Sequence, residues 1–262
     1  IDAAETIMPN AFDVEMADYA KKQLQNANIR VLTGTKLLSI VGDTAAEGVE
    51  TDAGTLASDV VIMAIGIRPA TAFLKDSGIA MDRGTIIVDG QMKTSLDDIY
   101  AVGDCAEVKN RITGTPMWSA MGSTANITAR LLAKDLLGEN AEYPGCLGTG
   151  VIRLLPDLNC GRTGLTEKQA RESGYDAVSA LCAVDDKAHY YPDASSFIIK
   201  TIADRKTEKL LGVQVFGSGA VDKITDIAAV GISMGARLCD FDTVDFAYAP
   251  PFATAIHPLA QT

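Results

Sequence analysis

The 262-residue chain is poor in the residues that build metal centres and disulfide frameworks. It has five cysteines, and the nearest two, Cys146 and Cys160, stand 14 positions apart. No CxxC redox pair or zinc knuckle is present, and with two histidines, His189 and His257, no metal site is expected. Most of these thiols read as small core residues, and an odd cysteine count fits a reducing, cytoplasmic setting. Positive charge is also scarce, with 23 Lys and Arg against 34 Asp and Glu, a net charge of −11. That balance repels phosphate backbones and anionic membrane surfaces, so nucleic acid is not an expected partner, a local basic pocket aside. Long apolar runs are missing. The longest, residues 60–67, is far below the roughly 20 residues that span a bilayer and reads as a buried strand. The first residues, Ile1-Asp2-Ala3-Ala4-Glu5-Thr6, carry no Met, basic stretch or apolar stretch, so no export signal is expected and the chain reads as starting partway through a fold.

What is present is 47% hydrophobic residues with 22% charged, enough for a sizeable core. The length fits one large or two ordinary domains of about 100–200 residues each. Residues 1–82 alternate helix and strand signals. A helix is predicted over 13–26, where Met16, Tyr19 or Ala20, and Leu24 recur near the 3.6 period, with Asn10 or Asp13 as cap. Strands are predicted at 29–32 and 59–65, the second of the kind buried in a parallel sheet, with an antiparallel meander between them over 37–54. Residues 83–144 carry two strands, at 85–88 and 98–102, and a helix at about 119–137 ended by Gly138. After Tyr143-Pro144-Gly145 the pattern becomes α+β, with strands at 151–155, 177–184, 197–202 and 210–216 and helices near 166–173 and 220–235. Gly217-Ser218-Gly219 imitates a phosphate loop but lacks its third glycine, and reads as a strand-to-helix turn. Gly231 and Gly235 read as allowing close helix packing.

The sharpest local feature is Asp98-Ile99-Tyr100-Ala101-Val102-Gly103-Asp104-Cys105-Ala106-Glu107. A strand ends at Gly103, and Asp104 then presents a carboxylate at the carboxyl edge of the sheet, where open α/β sheets bind ligands. An ionised Asp accepts hydrogen bonds without donating, which suits a polyhydroxyl partner. Capping of a turn by Asp104 is the equal alternative.

The string from Thr94 to Glu107 resembles the second flavin-binding motif of the FAD-dependent pyridine nucleotide-disulfide oxidoreductases. Ala64-Ile65-Gly66-Ile67-Arg68-Pro69 is similar to their strand end at the nicotinamide-nucleotide site. Thr163-Gly164-Leu165-Thr166-Glu167 and Tyr190-Tyr191-Pro192 resemble their dimerisation domain. Asp245-Phe246-Ala247-Tyr248-Ala249-Pro250-Pro251-Phe252 is similar to the tail of the branch that holds coenzyme A disulfide reductases, NADH oxidases and persulfide reductases. The motifs follow in family order over nearly the whole chain.

The resemblance implies a Rossmann-like α/β nucleotide-binding remainder followed by an α+β dimerisation domain. Residues 1–82 would be the rest of an NAD-binding domain, 83–144 the C-terminal segment of an FAD-binding domain, and 145–262 the dimerisation domain. Gly103, Asp104, Cys105 and Ala106 would bind FAD, with Asp104 accepting from ribityl hydroxyls. Amides near 119–124 would face the pyrimidine end of the flavin, since a helix N-terminus favours negative charge. Asp2 and Gly66 would belong to the nicotinamide-nucleotide site, and with no Arg beside Asp2, NADH is favoured; a solvated terminal residue is the alternative for Asp2. Tyr248 and one of Tyr190 or Tyr191 match tyrosines that approach flavin and substrate sulfur across a homodimer, against the alternative of ordinary interface tyrosines. Asn126 matches a substrate-side position, against a merely polar helix face. Where some relatives place a Lys after the Pro-Pro-Phe, this chain has Ala255-Ile256-His257-Pro258.

Cys105 is not the expected redox nucleophile, because the family's reactive cysteine belongs to the first flavin-binding segment, which this sequence does not contain. The implied activity of the intact protein is electron transfer from NADH through FAD to a disulfide, persulfide or oxygen. The competing reading is a non-catalytic dimerisation and partial nucleotide-binding fragment.

Overall fold

The computed structural model describes residues 1–262. Asp13 sits at the cap position of helix α1 (Val14–Asn26), whose inward stripe is Met16, Ala17 and Ala20. Strands β1 (Leu37–Val41), β2 (Gly48–Thr51) and β3 (Gly54–Ala57) form the expected antiparallel meander. The strands expected at 29–32 and 59–65 do not form ladders. Residues 59–65 have no strand beside them in this chain, and Val60, Ile62 and Ile65 are 74, 86 and 78% exposed. An apolar strand without hydrogen-bonding neighbours has nothing to hold it flat or cover it.

A second sheet takes the order β4 (Met81–Asp82), β5 (Thr85–Ile87), β6 (Ala106–Lys109), β7 (Pro116–Trp118), with β5 and β6 parallel. The strand expected at 98–102 is reduced to one bridge between Lys93 and Tyr100. Helix α2 (Gly122–Leu136) follows.

The third sheet is the core of the molecule. β8 (Gly150–Leu155), β9 (Leu158–Gly164), the short helix α3 (Glu167–Glu172), β10 (Ala177–Asp185), β11 (Ser196–Asp204) and β12 (Leu210–Gly217) give an antiparallel sheet in the order β10-β11-β12-β9-β8. Helix α4 (Val221–Met234) covers one face, packing Val221, Ile224, Ala228 and Ile232 onto Phe197, Ile199, Val213 and Val215. Period-2 alternation sends the neighbours of these strand residues to the other face. There Phe216 and Cys160 meet Phe12, Met16 and Ala20 from around α1. A helix near the start of the chain therefore covers a sheet made after residue 150. Gly231 allows close packing as expected, with a Cβ there falling 2.8 Å from the Phe241 ring. Gly235 does not; it is the left-handed residue that ends α4, at φ 73°.

Candidate functional site

Gly103, at φ 80°, begins a single 3-10 turn, Gly103–Cys105, that leads into β6. Its positive φ is what demands glycine here. A Cβ at Gly103 would lie 3.7 Å from that of Ala125, so the first turns of α2 stand beside this loop. Asp104 is exposed, and its carboxylate makes no hydrogen bond or ion pair within the chain. Its carbonyl instead accepts from the Trp118 indole at 2.8 Å, which fixes the turn and leaves the carboxylate free. The Cys105 thiol donates to the Val102 carbonyl at 3.4 Å, and Ala106 is buried with Ile86 and Ala101. Asp104 is thus the member of this quartet with an available polar side chain.

The N-terminus of α2 adds a second feature. Its cap residue Met121 supplies no side-chain hydrogen bond, and Gly122 and Ser123 are exposed, so amides of the first turn are open to an electron-rich partner. Asn126 is exposed on the same helix, with its amide unbonded inside the chain. Beneath, Ser119 and Thr124 share a 2.8 Å hydrogen bond, and the buried Cys146 sulfur contacts Ser119 Oγ at 3.3 Å and accepts from the Gly148 amide at 3.1 Å. Thr124 and Cys146, with Ser123 and Tyr143, line a cleft of about 560 Å³ bordered by α2 and α4. Burial, and then Cys146, push the Tyr143 phenol well above its usual range.

Gly66 projects into open space, and Arg68 and Pro69 after it line a cleft of about 720 Å³ with Arg83, Glu107 and Trp118. Asp2 is half-buried; Oδ1 accepts from the Ala4 amide at 2.9 Å, while its own amide donates to the Leu32 carbonyl at 2.8 Å. Tyr190 and Tyr191 lie in the loop between β10 and β11, and Tyr248 in the segment after α4. Their hydroxyls are unbonded within the chain, and all three rings are exposed. Gly103, Asp104, Cys105 and Ala106 are therefore contiguous in one turn, beside Ala125 of the helix that carries Asn126. No hydrogen bond or shared cleft within one chain joins the tyrosines, or Asp2, to them.

Sequence reading missed the Trp118 anchor, although a lone Trp beside a candidate motif was available as a signal. It also missed Lys200, whose side chain is 2% exposed on β11, opposite Gln214 of β12 and under α1. Its ammonium pairs with Glu15, with Glu167 at 2.8 Å and with Asp13 at 3.2 Å, while Gln214 donates to Asp13 at 2.7 Å. Asp13 also accepts from the Glu167 amide at 2.9 Å, tying α1 to α3. Burial opposes the charge on Lys200, but Glu15, Glu167 and Asp13 outweigh it and raise its pKa. The hydrogen bond from Lys200, then that from Ser179, lowers Glu167 to about 2. No cluster of metal-ligating side chains is present, and no helix is long and apolar enough to cross a membrane.

Residues 1–123 match the family model described as pyridine nucleotide-disulphide oxidoreductase, and residues 154–260 match the dimerisation domain of the same family. The chain belongs to the pyridine nucleotide-disulphide oxidoreductase family. It is 37% identical over 261 residues to the "NAD(P)H sulfur oxidoreductase (CoA-dependent)" of Pyrococcus furiosus, covering 99% of this chain and 58% of that protein. To the "NADH oxidase" of Methanocaldococcus jannaschii it is 31% identical, covering 99% of this chain and 58% of the relative. Among solved structures, an NAD-dependent persulfide reductase from A. fulgidus superposes with a TM-score of 0.93 at 30% identity, covering 99% of this chain and 48% of that one. The chain spans little more than half the length of the curated relatives it matches. The expected Rossmann-like remainder and dimerisation domain are the fold of this family.

Proposed function

We propose that the protein containing this chain is a flavoprotein oxidoreductase that moves electrons from NADH through FAD to a disulfide or persulfide, with oxygen as the competing acceptor. The relatives' names, a CoA-dependent sulfur oxidoreductase and an NADH oxidase, support both acceptors. The observation that carries the reading is the free Asp104 carboxylate on a glycine turn beside the uncapped start of α2. This donor set fits FAD: the carboxylate takes hydroxyl hydrogens of a polyol, and the open amides favour an electron-rich ring edge. When bound, FAD would supply a hydride acceptor, which no protein side chain offers.

This chain's own residues bind and orient. Trp118 holds the Asp104 turn through its carbonyl. Gly66 and Asp2 serve the nicotinamide-nucleotide side, with Asp2 favouring NADH. Tyr190 or Tyr191 and Tyr248 each offer one hydroxyl donor to a substrate sulfur. Asn126 serves the substrate from α2. In this reading the divisions are 1–82, 83–144 and 145–262, the assembly is a homodimer through the last of these, and the setting is cytoplasmic. Purified full-length protein should be yellow, and Asp104→Ala should lower flavin per subunit about tenfold or more, read from the flavin absorbance band. A colourless full-length protein would sink the reading.

A second reading concerns the 262 residues by themselves, and the exposed, unpaired apolar segment 59–65 favours it. As an isolated chain they act as a dimerisation and partial nucleotide-binding fragment with weak cofactor affinity. Tight flavin binding by this chain, in a fluorescence titration, would reject that.

A further inference from the structure

The loop that carries Tyr190 and Tyr191 has few bonds of its own. Tyr191 donates its amide to the Ala188 carbonyl at 2.8 Å and Ala194 to the Tyr191 carbonyl at 3.2 Å, while Tyr190 meets His189 edge-on with ring centroids 5.9 Å apart. The order of the loop is imposed at its base. Asp186, buried where β10 ends, accepts the Ser195 amide on Oδ1 at 2.8 Å and the Ser195 hydroxyl on Oδ2 at 2.9 Å. Its own amide donates to the Ser195 carbonyl at 2.8 Å. The Ser195 oxygen, having given its hydrogen to the carboxylate, accepts from the Ser218 hydroxyl at 2.7 Å.

Ser218 lies in the glycine-rich turn before α4, and the two flanking glycines acquire a reason. A Cβ at Gly217 would fall 2.6 Å from the Phe197 ring, and one at Gly219 would fall 2.8 Å from Asp186 Oδ2. The Asn159 amide holds the same turn from β9 by donating to the Ser218 and Gly219 carbonyls at 3.3 and 3.4 Å. The turn that imitates a phosphate loop is therefore a seat for a carboxylate.

We infer that Asp186, seated on Gly219 and linked through Ser195 to Ser218, is a positioning residue that sets the placement of Tyr190 and Tyr191 for the sulfur substrate. The inference rests on the reading that these tyrosines meet the substrate. A phenol donates usefully only along a narrow direction, and a displacement of about 1 Å in a positioned group can cost on the order of 100-fold in rate.

The test uses the full-length flavoenzyme, with coenzyme A disulfide as the oxidant whose reduction is followed. In Asp186→Ala, amide exchange over residues 187–194 should quicken about tenfold or more relative to β11. Turnover should fall toward that of the double variant Tyr190→Phe, Tyr191→Phe, while flavin content and the rate of flavin reduction by NADH stay at wild type. Asp186→Asn, which keeps an acceptor for the Ser195 amide, should recover part of both effects. Ser218→Ala provides a milder step should Asp186→Ala fold poorly. Unchanged exchange in these variants overturns the inference, as does quickened exchange with wild-type turnover while the double tyrosine variant is impaired. Wild-type turnover in the double tyrosine variant itself defeats the tyrosine reading, and the inference falls with it.

Discussion

Lys200 illustrates what a single buried charge demands of its surroundings. One ammonium faces Asp13, Glu15 and Glu167, and two of those carboxylates also accept other donors, so the site is satisfied only while every partner is present. Lys200→Met removes the cation and leaves the carboxylates facing one another, which should lower stability by about 3–5 kcal/mol, read from urea unfolding. The same residues give the protein an acid limit. Because Glu167 is held at about 2 in the folded chain against an ordinary 4.5, its contribution is complete above 4.5 and disappears as pH falls toward 2. His257 acts at milder pH. Burial, and secondarily Lys223, lower it to about 4, and Nδ1 already accepts the Leu259 amide. The folded chain thus keeps the imidazole neutral while the unfolded chain takes up a proton below 6.5. Stability should fall as pH drops from 6.5 to 4, and His257→Gln should flatten that part of a Tm-against-pH curve, with Glu167→Gln flattening the part below 4.5.

At the scale of elements, the strands and helices that bury a clear apolar stripe were readable: α1, α4, the meander, and β10, β11 and β12 fall within a few residues of their expected places. β9 was not, because Leu158-Asn159-Cys160-Gly161-Arg162-Thr163-Gly164 has two glycines and no alternation. It lies in the sheet because α4 and β12 come too close for side chains. A Cβ at Gly161 would collide with the Thr225 hydroxyl, and one at Gly164 with the Leu211 carbonyl. Tertiary packing here overrides strand propensity. Gly161→Val, an improvement by propensity alone, should therefore destabilise the chain by about 1–3 kcal/mol, measured by thermal unfolding. The candidate site divides in the same way. Asp104 was readable because its glycine, its carboxylate and the following strand are contiguous. The Asp186, Ser195 and Ser218 link was not, since the loop between β10 and β11 and the turn before α4 meet only after the sheet has formed.

At the scale of the whole molecule, the strongest tension lies between segment 59–65 and the sheet that follows residue 150. The latter is covered on both faces, by α4 and by α1, whereas the former carries the sequence of an interior strand and stands uncovered. Ile62, 86% exposed, distinguishes the two settings proposed above. In the 262-residue chain Ile62→Lys replaces one solvated side chain by another, and should change stability by no more than about 0.5 kcal/mol. In a longer protein whose nucleotide-binding sheet takes 59–65 as an inner strand, the same ammonium is buried without a partner, at a cost of several kcal/mol. Urea unfolding of both forms reads the difference directly. A small effect in the chain and a large one in the longer protein means that this segment is the interior of a sheet completed outside residues 1–262. Equal, small effects would mean that the segment is a surface element in both, and that the nucleotide-binding role given to Gly66 beside it has to be abandoned.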